Sequence, residues 1–416
     1  MKTSSAFPAT AVLSYGLFGL PLAMVALPIY IFIPQFYAEH SGLALATIGT
    51  ALLFTRLLAA LTDPLLGWWV QGSNGSYSRF LLLSIPLLLI GFAMLFHLPP
   101  LGNNAALAWF VVSLLTVYLG FGLAMIAHQS WGAALSQKPG ERTRIAAYRE
   151  ACGLVGVITA AGLSGWLGYD LLLIVFAICL LLSGALLILK APRPLLAAAA
   201  RPNSSRTRTA LLAPFEDKLF RALFKILIVN GLAAAIPATL FLFFAKDKLK
   251  LAPYSGGFLI LYFMAAAASM PLWVKLARRW GEARTWVIGM LSSALVFVWA
   301  YALEPGAVLG FGSVCLLSGM MLGADLALPP ALLAGVIARA GHSGGREAAY
   351  FGWWNWGVQM TLALAAGITL PLLEWQGYLP GQTAGLNALS ATYALLPCCL
   401  KLIAASMLWR APLRDC

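Results

Sequence analysis

Twelve apolar segments run through this chain, at residues 11–36, 45–70, 79–99, 105–134, 145–167, 169–190, 219–245, 254–277, 284–303, 307–337, 348–373 and 386–409. Each reaches the ~20 residues that a helix needs to cross the hydrocarbon core of a bilayer. Only Gly168 separates the fifth from the sixth, and the longer segments must tilt or overrun the membrane. The expected fold class is an all-α polytopic membrane protein of twelve transmembrane helices, with the lipid bilayer as its constant partner.

Composition excludes the soluble classes. Charged residues make up 10% of the chain and hydrophobic residues 61%, whereas soluble domains carry about 25% charged residues. A net charge of +13 would suggest a nucleic-acid partner in a soluble protein. Here the basic residues sit in short loops between apolar runs, so the charge reports topology and no nucleic acid is expected. The cysteines at 152, 179, 315, 398, 399 and 416 lie mostly inside apolar runs and form no CxxC pair. Histidine is rare as well, so neither a metal site nor a disulfide framework is expected. The first apolar run continues past any A-x-A-like site, which argues against a cleavable signal.

One composition break divides the chain. Residues 191–216 hold Pro192, Pro194, Pro202, Asn203, Ser204 and Ser205 with Arg193, Arg201, Arg206 and Arg208. They read as a cytoplasmic linker between a six-helix bundle at 1–190 and a second at 217–416. Placing both termini inside puts Arg79, Lys138, Arg142, Arg144, the linker arginines, Lys275, Arg278, Arg279, Arg284, Arg339, Arg346, Arg410 and Arg414 on the inner side. Only Lys246, Lys248 and Lys250 remain outside. The halves echo each other: Asp63-Pro64 ends the second span and Met270-Pro271 the eighth, 207 residues later. Parallel six-helix repeats around a midplane site are a transporter architecture.

Charges within spans mark a pathway or a buried structural pair. Arg56 and Asp63 in the second span lie seven residues apart, on one helical face. Arg149 and Glu150 open the fifth span; being adjacent, they point about 100° apart, so different partners are expected. Asp325 lies four residues before Pro329 and Pro330, where the tenth span is expected to break. His128, Gln129 and Trp131 stand together late in the fourth span, and Trp131 could stack on a cargo or merely anchor at an interface. Trp353, Trp354, Asn355, Trp356 and Gln359 form an aromatic and amide patch in the eleventh span, with Asn355 and Gln359 sharing a face. Tyr15 in the first span is a weaker candidate, and Pro21, Pro28 and Pro34 should kink that span. Lys225 and Lys401 read as snorkelling side chains.

Several of these pieces carry a family resemblance. They are Ser14-Tyr15-Gly16, Arg56 with Thr62-Asp63-Pro64 and Gly67-Trp68, Trp131, and Ala147-Tyr148-Arg149-Glu150-Ala151. Gly323 through Pro330, Ala349 through Gly352 and Asn355 complete the set. In order and spacing they resemble the major facilitator superfamily, and in detail its glycoside–pentoside–hexuronide:cation symporter branch, typified by the melibiose permease. The resemblance implies the major facilitator fold and cation-coupled solute uptake by alternating access. It matches Arg149 and Trp131 to sugar-site residues and Asp63 to one of two cation-binding aspartates. The other aspartate falls on Ala59, the sugar-holding carboxylates near Ala23 and Ala127, a span-eleven lysine at Gln359, and an aspartate after the span-ten prolines at Gly335.

These departures shape the expected function. A Na⁺ site wants several hard oxygens, whereas one carboxylate suffices for a proton. The leading expectation is a secondary active transporter, a symporter coupled to H⁺ in preference to Na⁺, for a sugar, glycoside or related small organic solute. Asp63 and Arg56 would form the coupling site, and Trp131, Arg149, Asp325, Asn355, Gln359, Gln129 and Tyr15 the substrate site, with no other cofactor. The alternative is an uncoupled or proton-driven lipid or amphiphile flippase or exporter of the same fold. An intramembrane enzyme would need a paired acid and base, a nucleophile or a metal cluster, none of which stands out. A multi-pass monomer in a bacterial inner membrane, with both termini cytoplasmic, completes the reading.

Overall fold

The computed structural model describes residues 7–31, 33–41, 43, 45–72, 76–100, 102–136, 138–166, 169–193, 211–378 and 385–413. Gly168, residues 194–210 of the linker, Arg414 and Cys416 lie outside the described residues. The first half contains α1 (Ala9–Gly16), α2 (Gly19–Ile31), α3 (Ile33–His40), α4 (Leu45–Gln71), α5 (Tyr77–Phe96), α6 (Asn103–Leu135), α7 (Pro139–Trp166) and α8 (Tyr169–Lys190). The second contains α9 (Lys218–Phe243), α10 (Ser255–Trp280), α11 (Glu282–Phe297), α12 (Val308–Arg339), α13 (Glu347–Trp375), α14 (Leu386–Ser390) and α15 (Leu396–Arg410). Among the described residues eleven stretches are long and apolar enough to cross a membrane. The twelfth long helix is α7, whose first three turns carry Glu141, Arg142, Arg144, Arg149 and Glu150. The all-α polytopic fold is as the hydropathy of the sequence demands.

The first span is divided, and the expectation for the tenth is corrected. The first span is interrupted at Leu17–Phe18, between α1 and α2, while Pro28 is accommodated inside α2. The tenth span does not break at its proline pair, because α12 runs unbroken from Val308 to Arg339 through Pro329 and Pro330. A proline inside a helix costs ~3 kcal/mol through its missing N–H and its ring clash, although its fixed φ is helical. Every residue from Ala327 to Ile337 is buried, so packing on all sides of the helix offsets that cost.

The chain packs into two compact units that do not follow the simple halves. The first comprises residues 1–137, 148–213 and 340–356, and the second 138–147, 214–339 and 357–416. The first turns of α7 therefore belong with the second unit, and the first turns of α13 with the first. Within the second unit, Phe244 stacks on Tyr393 with centroids 4.0 Å apart, and Phe258 meets Phe311 edge-on at 5.0 Å. Within the first, Phe96 stacks on Tyr169 and Phe92 tilts against Phe176, both pairs at 4.7 Å.

Each displaced helix end is held by a buried carboxylate. In the first unit Glu347, at 0% exposure, accepts a 2.6 Å hydrogen bond from the Tyr77 hydroxyl and a short one from the Gly344 N–H. In the second unit Glu282, at 3% exposure, accepts from the Thr143 hydroxyl at 2.7 Å and lies 3.6 Å from the Arg142 guanidinium. The two arrangements are reciprocal in sequence. Glu282 follows Tyr77 by 205 residues, and Glu347 follows Arg142 by 205. Each pair thus joins one repeat position to the counterpart of the other. A side chain on Gly335 would begin 2.8 Å from the Arg142 guanidinium. Where the resemblance places an aspartate, this chain has glycine, and Glu282 supplies the carboxylate.

The first unit also contains a seam of bare backbone. A Cβ on Gly67 of α4 would lie 3.0 Å from the Gly352 Cα, and one on Gly352 of α13 would lie 2.7 Å from the Asp63 carbonyl oxygen. Only glycine allows this approach. Gly352→Val is expected to lower the thermal stability of the purified protein by about 1–3 kcal/mol, the usual penalty for overpacking. Gly256→Ala, with nothing within 4 Å of its added Cβ, should leave it unchanged. Equal melting temperatures for the two variants would contradict the seam.

Candidate functional site

The first cluster surrounds Asp63. It sits mid-helix in α4, at 2% exposure, one residue before Pro64. A Cβ added to Gly122 of α6 would lie 2.7 Å from Asp63 Oδ1, so the carboxylate lodges against a glycine face. The backbone carbonyl of the same residue faces Gly352. Asp63 therefore stands where α4 touches both α6 and α13. Arg56 is half-buried two turns earlier. Ala59, one turn before Asp63, is buried and offers no second carboxylate.

The second cluster joins α1, α6 and α7 in the same unit. The Tyr15 hydroxyl donates to the His128 carbonyl at 2.9 Å, and His128 Nε2 lies 3.0 Å from the Tyr15 carbonyl. A carbonyl accepts only, which fixes the imidazole proton on Nε2. The two rings lie 4.4 Å apart, with Phe18 edge-on to the imidazole. His128 Nδ1 and Gln129 Oε1 are then left as buried acceptors with no donor from the protein. Arg149 Nε donates to Glu150 Oε1 at 3.0 Å. The separate partners expected from their 100° offset are thus corrected: both side chains are long enough to fold toward each other. Trp131 is buried and gives its indole N–H to the Pro192 carbonyl at 2.9 Å, which ties α6 to the segment after α8. In α13 the Trp353 indole donates to the Leu211 carbonyl at 2.9 Å, while Asn355 Nδ2 is a buried donor with no acceptor from the protein.

The third cluster belongs to the second unit. Asp325 of α12 is paired with Lys401 of α15 in a short contact. Its Oδ1 also accepts from the Trp286 indole of α11 at 2.8 Å and from Asn230 Nδ2 of α9 at 3.3 Å. Four helices converge on one carboxylate. This corrects the reading of Lys401 as a snorkelling side chain, since it is buried with its ammonium on an acid. Gln359 is half-buried on α13. Asn230 and Trp286 are absent from the sequence reading, and Lys401 enters it only as a snorkelling side chain. The available signal was that an aspartate and a lysine inside apolar spans of one bundle each require a partner.

The comparisons with known proteins follow from this architecture. The profile of the family described as MFS/sugar transport protein matches residues 14–415. The chain belongs to that family. The transporter is 21% identical over 440 residues to a sphingosine-1-phosphate transporter of Mus musculus, covering 96% of this chain and 88% of that protein. It is 22% identical over 422 residues to a glucuronide carrier protein homolog of Escherichia coli, covering 92% and 88%. An uncharacterized symporter of Bacillus subtilis is 26% identical over 125 residues, a match spanning 29% of this chain and 27% of that protein. Among solved structures, an outward-facing bacterial homologue of the iron transporter ferroportin superposes with a TM-score of 0.71 at 16% identity, covering 97% and 99%. The Escherichia coli fucose:proton symporter gives 0.68 at 14% identity, covering 95% and 98%. At these identities the structures show the fold alone, that of a major facilitator transporter.

Removing one partner of a buried ion pair leaves an uncompensated charge, at a cost of about 3–5 kcal/mol. Lys401→Met should therefore lower the melting temperature of the transporter sharply. The double variant Asp325→Asn with Lys401→Met should recover much of the loss, because neither charge then remains. Additive losses in a double-mutant cycle would show that the two residues do not act as a pair.

Proposed function

We infer that the protein is a secondary active transporter that couples the movement of a hydroxylated organic solute, of the sugar or glycoside class, to a proton carried by Asp63. The buried position of Asp63 carries this reading. A buried carboxylate held in a glycine-lined junction of three helices can be neutral when protonated and requires compensation when ionised, so its protonation biases how those helices pack. Ala59 and Gly122 supply no further hard oxygen around it, which favours H⁺ over Na⁺. Arg56 is the positive charge nearest to it along the helix and would attract the ionised form.

Within the first unit the cargo would be held by Arg149, Tyr15, Gln129 and Asn355. The unpaired acceptors His128 Nδ1 and Gln129 Oε1 suit a cargo rich in hydroxyl donors, since a buried acceptor left unpaired costs about 1–3 kcal/mol. Trp131 would support that wall. Asp325, enclosed by three donors, would organise the second bundle rather than touch cargo directly. Alternating access requires the Tyr77–Glu347 and Arg142–Glu282 contacts to open as the cargo crosses. The symporter and carrier names of two relatives agree with this reading. A second reading, a proton-driven or uncoupled transporter of a lipid-like amphiphile, is favoured by the near full-length likeness to the sphingosine-1-phosphate transporter. Both readings place the protein in a cell membrane, bacterial inner membrane in the first instance, with its termini in the cytoplasm.

Proteoliposomes test coupling. An inward proton gradient should drive accumulation of a bound glycoside, identified beforehand by its thermal stabilisation of the purified protein. Asp63→Asn should abolish accumulation while leaving that stabilisation measurable. Accumulation that is indifferent both to the gradient and to Asp63→Asn would overturn the proton-carrier role. Stabilisation by lysolipids and by no glycoside would select the amphiphile reading.

A further inference from the structure

We propose that a basic cavity between α9 and α15 binds the phosphate headgroup of an anionic membrane lipid. The cavity is a surface recess of about 520 Å³ lined by Lys218, Arg221, Ala222, Lys225 and Ile226 of α9 with Met407, Arg410 and Ala411 at the end of α15. Four of these eight residues are cationic and none is acidic. Lys218, Arg221 and Lys225 are spaced three and four apart, on one face of the helix. Arg410 closes that face from the neighbouring helix. Among the described residues none of the four makes an ion pair, so the concentrated charge has no internal counter-ion. Their summed field favours a bound anion over a free one.

The remaining lining decides between a lipid and a soluble anion. Ala222, Ile226 and Met407 give it an apolar inner wall, as the start of an acyl chain would need. Trp409, at 54% exposure, stands next to Arg410, and exposed tryptophans at helix ends mark the level of the headgroups. From Lys218 to Ile226 the helix rises ~12 Å, enough to pass from headgroup to hydrocarbon. Basic recesses between membrane helices near the surface recognise acidic headgroups by charge and hydrogen bonding. Arginine contributes the planar fork that suits a phosphate. This site lies apart from Asp63 and from the cluster around Asp325, and its occupancy would favour the packing of α9 on α15.

The test uses the purified full-length protein, titrated with phosphatidylglycerol and, separately, with phosphatidylcholine, with binding read by native mass spectrometry and melting temperature. Phosphatidylglycerol should bind and raise the melting temperature, and phosphatidylcholine should not. Arg221→Gln with Arg410→Gln should weaken phosphatidylglycerol binding about thirtyfold, equivalent to ~2 kcal/mol. Lys275→Gln, outside the cavity, should not weaken it. These three side-chain positions are exposed, and an unchanged circular dichroism spectrum would confirm that the variants are folded. Equal effects of the two lipids, or undiminished phosphatidylglycerol binding in the double variant, would overturn the proposal. So would equal protection by millimolar inorganic phosphate, which would identify a soluble-anion site instead.

Discussion

A carboxylate taken out of water carries a penalty of several kcal/mol unless partners are waiting for it. Three acids in this protein meet that constraint by reaching helices far away in sequence. Glu347 meets Tyr77, Glu282 meets Thr143 and Arg142, and Asp325 meets Lys401, Trp286 and Asn230. Apolar surfaces of membrane helices are nearly interchangeable in lipid, because hydrocarbon is as apolar as leucine. The buried acids are not interchangeable. They specify which helix end belongs beside which, and they do so where hydrophobicity alone would leave the choice open.

The two carboxylate systems nearest to function differ in kind. Asp325 is saturated: three donors from three other helices hold it, and any rearrangement around it must break several bonds together. Asp63 rests against glycine, beside a seam in which backbone meets backbone. Glycine contacts resist little when helices slide, because no side chains interlock. The second half thus holds an acid between three donors, and the first an acid beside glycine contacts.

The helices were legible in the sequence because hydropathy is a local property. Nearly all the expected spans recur as helices among the described residues. What stayed hidden was pairing. Tyr77 and Glu347 are 270 residues apart, Thr143 and Glu282 are 139 apart, and Asp325 and Lys401 are 76 apart, and no periodicity reports a register across such distances. Lys401 resembled a snorkelling residue because its position near a helix end is compatible with both roles. Pro329 and Pro330 resembled a helix break because the local cost is visible in sequence and the packing that offsets it is not. Arg149 and Glu150 were assigned separate partners from backbone geometry alone, although their flexible side chains reach each other. Asp63 was legible for the opposite reason, as a lone acid inside an apolar run needs no partner to be noticed.

The reciprocal pairs also bear on how the chain is made. In both, the acid belongs to the second half and its side-chain donors to the first. Chains emerge from the ribosome N-terminus first. Tyr77, Arg142 and Thr143 are therefore in place before Glu282 or Glu347 is synthesised, and a tyrosine or an arginine near a membrane surface can be served by water and lipid phosphates in the meantime. The reverse allocation would leave two acids waiting in the bilayer for donors not yet translated. The direction of synthesis and the polarity of the pairs agree, so that each acid enters the membrane with its partner already waiting.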